Sequence, residues 1–260
     1  MKIVVCIKQV PDTAEVKINP VTGTLIREGV PSIMNPDDKG GLEFALQLKE
    51  QYGAEVTVIT MGLPQSDAIL REAFAMGADK AILLTDRRLG GADTLATSSA
   101  IAGALRKMEY DLIITGRQAI DGDTAQVGPQ IAEHLDLPQV SYLEDLQYDG
   151  DKTITVRKQT EDGYEILQME TPCLVTVLAS AVKPRYMNVA GIVEAYNREV
   201  EVWNADMIEV PAEHIGKAGS PTSVAKSFPK SVKPAGETFE VSAEEAVELI
   251  INKLKEKHII

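Results

Sequence analysis

The sequence predicts a doubly wound α/β fold: a mostly parallel, Rossmann-like, adenine-nucleotide-binding type of sheet with an antiparallel extension and a C-terminal arm. Three observations predict it. Five short runs are continuously apolar: Ile3–Ile7, Val56–Ile59, Ala81–Leu84, Leu112–Ile114 and Leu174–Leu178. Runs without polar alternation fit parallel strands buried on both faces. Helix-period segments lie between the first four, and strands alternating with helices argue parallel βαβ units. A glycine-rich loop, from Gly116 to Pro129, then follows one of the runs. In such sheets ligands bind beyond the carboxyl ends of the strands. Glycine there lets backbone approach a ligand closely, and the next helix start offers free N–H groups to an anion. The placement points to a bound nucleotide.

Residues 2–8 read as the first strand. The stretch from Val10 to Met34 is not helical: Asn19-Pro20 and Thr22-Gly23 are turn signals, and Val16–Ile18 can pair with Thr24–Ile26 as a ribbon. Asn35-Pro36-Asp37-Asp38 opens a helix, with Asn as cap, Pro in the first position and acids at the positive end of the dipole. Leu42, Ala45, Leu46 and Lys49 form its inner stripe. Three more units follow: Val56–Thr60 with a helix near Gln65–Met76, Ala81–Thr85 with one near Asp93–Met108, and Leu112–Thr115 with one near Thr124–Leu135. Asp149-Gly150 and Asp162-Gly163 are hairpin turns around Ile154–Arg157 and before Tyr164–Gln168, which predicts the antiparallel extension. Gly, Pro, Ser and Lys from Gly216 to Thr238 predict a linker, and Ser242-Ala243-Glu244-Glu245 is a capping box for a last amphipathic helix striped by Val247, Ile250, Ile251 and Leu254. The organisation expected is a nucleotide domain over 1–182, a loop segment over 183–215, and a linker with a terminal helix over 216–260.

Composition narrows the function. The chain has 260 residues, 44% hydrophobic and 25% charged, enough for one sizeable core. A net charge of −13 and a pI near 4.8 oppose nucleic-acid binding, which needs clustered Lys and Arg. Aromatics are 5% with a single Trp203, so stacking platforms and aromatic lipid anchors are not expected. Cys6 and Cys173 read as small core residues, and His134, His214 and His258 are too scattered for a metal site. Neither a signal peptide nor a bilayer-spanning run is readable, so no integral membrane contact and a cytoplasmic location are expected.

Three helix starts are candidate sites. In the 116–129 loop, glycines stand at 116, 122 and 128, and Asp123 is placed to cap, with a phosphate on the N–H groups of residues 124–127. The same residues also read as a capped helix start with turn glycines. Neither Walker A nor the dinucleotide glycine pattern is present, and Asp121 and Asp123 would repel phosphate if both faced it. Asp93 can cap the helix after Gly90-Gly91, with Thr94 and Thr97 on one face where their hydroxyls can meet a second phosphate; here too simple capping explains the residues. Asn35–Asp38 is the third, and convergence of all three at one sheet edge would be more telling than any alone. No catalytic triad or acid/base pair is readable. Val189, Ile192 and Val193, near Pro184-Arg185-Tyr186, read by pattern as a core helix, with an exposed docking turn as the rival.

Several separate stretches together resemble the β subunit of electron transfer flavoproteins: Val5-Cys6-Ile7-Lys8-Gln9-Val10-Pro11-Asp12, Met34-Asn35-Pro36, Ala75-Met76-Gly77-Ala78-Asp79, Gly116-Arg117-Gln118-Ala119-Ile120-Asp121-Gly122-Asp123 and Pro184-Arg185-Tyr186. Val156–Gly163 and Glu170-Thr171-Pro172 match the same family's internal signature. The resemblance runs from residue 1 to about the last helix. It implies a heterodimer in which the α subunit carries one FAD and the β subunit binds a second nucleotide. Carried over by position, that nucleotide touches Cys6, Asn35, Pro36, Asp37, Asp38, Met61, and the loop formed by Gly116, Arg117, Gln118, Ala119, Ile120, Asp121, Gly122, Asp123, Thr124, Ala125, Gln126 and Val127.

The Gly90–Ser98 stretch resembles the electron-bifurcating branch, in which the second nucleotide is FAD. Asp93, Thr94 and Thr97 then serve that FAD, with Thr94 and Thr97 on its pyrophosphate. The resemblance implies hydride transfer from NADH to this FAD. One electron then goes to ferredoxin or flavodoxin, and the other through the α-subunit FAD to an acyl-CoA dehydrogenase. Pro184–Tyr196 matches the family's recognition loop, with Val189 at the anchor position beside Tyr186, Met187 and Ile192, which favours docking over core. Glu194-Ala195-Tyr196-Asn197-Arg198-Glu199 replaces a lysine run of other members, and Thr13 stands where some place a tyrosine near the α-subunit flavin. Two rivals remain: an AMP-binding, non-bifurcating β subunit, and a freestanding universal-stress-type nucleotide-binding protein, which would not need residues 183–260.

Overall fold

A computed structural model describes residues 1–12, 17–18, 25–26, 31–225 and 235–260. The chain forms two units, Met1–Ala225 and Lys226–Ile260. The first begins with β1 (Lys2–Cys6), β2 (Gln9–Pro11), β3 (Lys17–Ile18), β4 (Leu25–Ile26) and β5 (Ser32–Met34), then α1 (Pro36–Tyr52). Strand–helix units follow: β6 (Glu55–Met61) with α2 (Asp67–Met76), β7 (Lys80–Leu84) with α3 (Thr94–Leu105), and β8 (Leu112–Gly116) with α4 (Val127–His134). Then come β9 (Gln139–Tyr148), β10 (Thr153–Thr160), β11 (Gly163–Glu170), β12 (Cys173–Val177), α5 (Val189–Ala195) and β13 (Glu201–Trp203).

Nine strands form one sheet in the order β11-β10-β9-β12-β8-β1-β6-β7-β13. From β9 to β13 every neighbouring pair is parallel, while β10 pairs antiparallel with both β9 and β11. The mostly parallel sheet and its antiparallel extension are therefore as expected. The central strands are buried end to end because both faces are covered. Ile3 and Val5 join Leu42, Leu46, Ile69 and Phe74 on one side, whereas Val4 joins Ile101, Leu105 and Ile131 on the other. Helices α1 and α2 cover the first face, α3 and α4 the second.

Some boundaries differ from expectation. The ribbon forms between Lys17–Ile18 and Leu25–Ile26; its predicted ends Val16 and Thr24, like Thr13, lie outside the described residues. Helix α4 begins at Val127 rather than Thr124. Asp123 and Ala125 take positive φ of 50° and 53°, a left-handed conformation that cannot continue into a helix. Strand β13 was not predicted from its three residues; its pairing with β7 supplies what its sequence lacks. The residues from Gly216 do not run free: Lys217 N–H donates to Gly90 O and Gly216 lies against Arg88 O.

In the second unit α6 (Ala243–Glu256) carries the expected capping box, with Ser242 and Glu245 bonding reciprocally. Val247 and Ile250 on its stripe are exposed within the unit. No described helix is long and apolar enough to cross a membrane.

Leu46 is among the most deeply buried large side chains, between α1 and the sheet. Leu46→Ala is expected to destabilise the purified protein by about 2–5 kcal/mol, read from the shift of its urea unfolding midpoint.

Candidate functional site

The chain connects β1 outward to β6 on one side and places β8 on the other, so the order reverses between β1 and β8. Their carboxyl ends form the crevice where open α/β sheets bind ligands. Helix α1 starts at this crevice. Asn35 occupies its cap position but does not cap with its side chain. Instead the amide, fully buried, reaches into the neighbouring loop: Nδ2 donates to Gln118 O at 2.8 Å and Oδ1 accepts from Ile120 N–H at 3.1 Å. Pro36 at the first helical position removes an N–H that would have no acceptor.

The two acids that follow do more than complement the dipole. Asp38 accepts from Lys8 N–H at 2.7 Å and from Gly116 N–H at 3.0 Å, tying the ends of β1 and β8 together. Asp37 accepts from Ala179 N–H at 2.9 Å and Gln118 N–H at 3.3 Å, adding the chain after β12. Burial is the main cause that pushes the Asp38 carboxyl up to about 7, against the hydrogen bonds it accepts. Burial, aided by Asp38, likewise raises the Cys6 thiol to about 12, so Cys6 at the end of β1 stays protonated and inert. Met61 closes β6 beside this crevice, half-buried.

The glycines of the 116–129 loop divide by role. A Cβ on Gly116 would lie 2.2 Å from Asp38 Oδ1 and 2.7 Å from Asp37 Cβ; one on Gly128 would lie 2.6 Å from Thr115 Oγ1. Both are required by protein packing, one against the start of α1 and the other where α4 rests on the sheet. Gly122 has nothing within 4 Å of that position and is exposed. Asp123 does not cap a helix as expected; it accepts from Gln118 Nε2 at 2.8 Å inside the loop. Asp121 pairs with Lys8 Nζ at 2.6 Å, its carboxylate nearly buried. The two acids thus have local donors, and the repulsion anticipated for an anion is offset. Among the described residues, the backbone N–H groups of Thr124, Ala125, Gln126, Val127 and Gly128 have no protein acceptor. Arg117 stands alongside, its buried Nε without a hydrogen bond and 3.5 Å from Asp37. A row of unpaired donors beside an open glycine, with its carboxylates neutralised, fits the phosphate of a nucleotide.

The second candidate start joins this one. Asp93 caps α3, accepting from Ala96 N–H at 3.0 Å, and Thr94 Oγ1 donates to Gln126 Oε1 at 2.8 Å. Thr97 lies one turn further along α3, half-buried. All three helix starts therefore meet at one end of the sheet. Two residues outside the sequence reading also belong here: Ser220 and Thr222, bonded to Asp93 across more than a hundred residues of chain. No local pattern could have linked them to it.

Residues 22–207 match the electron transfer flavoprotein domain. The chain belongs to the electron transfer flavoprotein family. It is 58% identical over 260 residues to the electron transfer flavoprotein subunit beta of Clostridium acetobutylicum, covering all of both chains. It is 52% identical over 263 residues to the caffeyl-CoA reductase–Etf complex subunit CarD of Acetobacterium woodii, and 46% identical over 269 residues to the acryloyl-CoA reductase electron transfer subunit gamma of Anaerotignum propionicum, again over all of both chains. The family's β subunits are thus its relatives along the whole length.

In this member of the family the segment expected to dock partners is not core. Tyr186 is 88% and Val189 79% exposed, and Met187, Ile192 and Val193 are exposed as well. The pattern reading of a core helix fails because α5 packs with its small residues: a Cβ on Gly191 would lie 2.6 Å from Ala75 O, and Ala195 is buried. Arg185 fixes the approach to α5 through Glu43 at 2.8 Å and Glu50 at 2.5 Å, and Arg71 caps its end by donating to Ala195 O at 2.7 Å.

The raised Asp38 carboxyl sets a pH dependence. Its stabilising contribution is full below the unfolded value near 4 and is lost as pH rises through about 7. Unfolding free energy should therefore fall between about pH 4 and 7 and level off above about pH 8, and Asp38→Asn, though less stable overall, should show a shallower fall. Equal slopes in urea titrations across that range would remove Asp38 as the group responsible.

Proposed function

We propose that this chain is the β subunit of a heterodimeric electron transfer flavoprotein of the bifurcating kind, with FAD in the crevice between β1 and β8. When bound, that flavin supplies two-electron acceptance from NADH and one-electron delivery to ferredoxin or flavodoxin and, through the FAD of the α subunit, to an acyl-CoA dehydrogenase. The observation that carries the reading is the Thr94–Gln126 hydrogen bond. It joins the start of α3 to the 116–127 loop, so donors from two loops border one site. A mononucleotide such as AMP needs one phosphate cradle, whereas a pyrophosphate makes use of both.

The residues take distinct roles in this reading. The N–H groups of Thr124–Val127 receive one phosphate and the Thr97 hydroxyl the other, joined by the Thr94 hydroxyl when its single hydrogen turns to the ligand from Gln126. Asn35, Asp37 and Asp38 hold the loops at fixed spacing, and Pro36 sets the start of α1. Gly116 to Ile120 line the crevice, with the Arg117 guanidinium held beside it by Asp37. Lys8 neutralises Asp121 beside the phosphates. Cys6 and Met61 close the floor without titrating. Tyr186, Met187, Val189 and Ile192 present an apolar surface to the dehydrogenase, and the stripe of α6 packs on the α subunit. Two relatives bear the names of caffeyl-CoA and acryloyl-CoA reductase subunits, which supports an acyl-CoA-linked partner. The setting expected for such a complex is the cytoplasm.

The copurified heterodimer should release two FAD and no AMP; one FAD with one AMP would sink bifurcation. Thr94→Val/Thr97→Val should weaken the β-bound FAD about a hundredfold or more and leave the α-bound FAD in place, since each lost hydrogen bond to a charged group is worth about 1.5–3 kcal/mol. Val189→Ala should slow electron delivery to the acyl-CoA dehydrogenase several-fold, with NADH oxidation by an artificial acceptor unchanged. Equal loss in both assays would assign Val189 to folding instead.

A further inference from the structure

The carboxylate of Asp93 is divided between two segments far apart in sequence. Oδ1 accepts from Ala96 N–H and starts α3. Oδ2 accepts from Thr222 Oγ1 at 2.8 Å and from Thr222 N–H at 3.1 Å. Asp93 N–H donates to Ser220 Oγ at 2.8 Å, and that hydroxyl donates on to Gly216 O at 2.8 Å. The segment carrying these groups is seated on the preceding loop. Lys217 N–H donates to Gly90 O, and Gly216, at φ +55°, lies so near Arg88 O that a Cβ would sit 1.9 Å from it. Residues 216–222 thus form a strap over the turn that leads into α3.

The strap solves an electrostatic problem. An aspartate at the start of α3 is useful as a cap, yet Thr94, the next residue, is where an anionic ligand is to be met. A carboxylate oxygen left free there would repel a phosphate a few ångströms away, in a partly desolvated place where such repulsion is strong. With one oxygen on Ala96 and the other on Thr222, the charge is turned away and hydrogen-bonded. Thr94 and Thr97 are held in register by the same contact.

We infer that Thr222 is a positioning residue of the cofactor site, which holds the Asp93 carboxylate off the cofactor's phosphates and so admits the pyrophosphate at Thr94 and Thr97, while Ser220 fixes the Asp93 backbone beneath it. This rests on the reading of that site as a FAD site.

The test uses the complete copurified heterodimer and FAD as the probe, measured as FAD retained after gel filtration and as affinity on titration. Thr222→Val should weaken the β-bound FAD about tenfold and spare the α-bound FAD, and Thr222→Ser should restore it. Adding Asp93→Asn to Thr222→Val should recover most of the lost affinity, because the neutral side chain still caps through its oxygen and no longer repels phosphate. A merely structural role for the strap predicts no such recovery. Should Thr222→Val not assemble, Thr222→Ala, which removes the same hydroxyl donor from Asp93 Oδ2, serves the same comparison. Unchanged FAD retention in Thr222→Val, or a loss that Asp93→Asn leaves uncorrected, overturns the inference. The Thr94→Val/Thr97→Val heterodimer separates the two levels: if it loses FAD while Thr222→Val keeps it, the strap alone is refuted; if both keep it, the FAD reading falls and the strap with it.

Discussion

The site depends on two buried carboxylates at the start of one helix. Asp37 and Asp38 sit where α1 leaves the sheet, and between them they accept backbone N–H groups from the ends of β1, β8 and β12. A strand end that opens into a loop normally exposes its donors to water. Here the donors face a carboxylate, so three loops keep a fixed spacing. The cost is a desolvated charge, visible in the raised Asp38 carboxyl. Gly116 follows from the same arrangement, because any side chain there would occupy the space of these acids.

With the loops fixed, the crevice gains its chemistry from what is left unpaired. Among the described residues the N–H groups at the start of α4 have no protein acceptor, while nearby acids are each given a donor: Asp121 by Lys8, Asp123 by Gln118, Asp93 by Ala96 and Thr222. In a protein of net charge −13 this local accounting matters more than the total. An anion bound there would meet oriented dipoles and hydroxyls, with the acids that shape the loops already hydrogen-bonded elsewhere.

The sheet was legible in the sequence because its central strands are buried on both faces, which leaves the uninterrupted runs at Ile3–Ile7 and Leu112–Ile114. Capping was partly legible. Asp93 and Ser242 cap as their patterns predict, since a cap is a local hydrogen bond. Asn35 does not, because tertiary partners in Gln118 and Ile120 outbid its own helix for the amide. Asp123 fails for the opposite reason: the left-handed turn at 123–125 delays α4 by three residues, and periodicity does not see a backbone conformation. The exposed valines of α5 misled pattern reading because a seven-residue helix can pack by glycine and alanine alone. Ser220 and Thr222 had no sequence signal at all. Their role exists only through contacts to a residue more than a hundred positions away.

One element joins the two ends of the proposed activity. The first turn of α1 organises the cofactor crevice, and two turns further along the same helix Glu43, buried, holds Arg185 in a forked pair that fixes the approach to α5. Such a forked pair is geometrically specific, and with Glu43 desolvated it resists exchange with water. At the far end of α5, Arg71 of α2 takes the carbonyls of Ala195 and Arg198. The exposed apolar side chains of α5 therefore stand on α2, against which α5 packs, and are tied to α1 through Arg185. A partner that binds Tyr186 and Val189 meets a preformed surface, so little ordering entropy opposes the contact. The same rigidity fixes the position of that surface relative to the crevice, which is what a carrier that passes electrons by proximity requires of its scaffold.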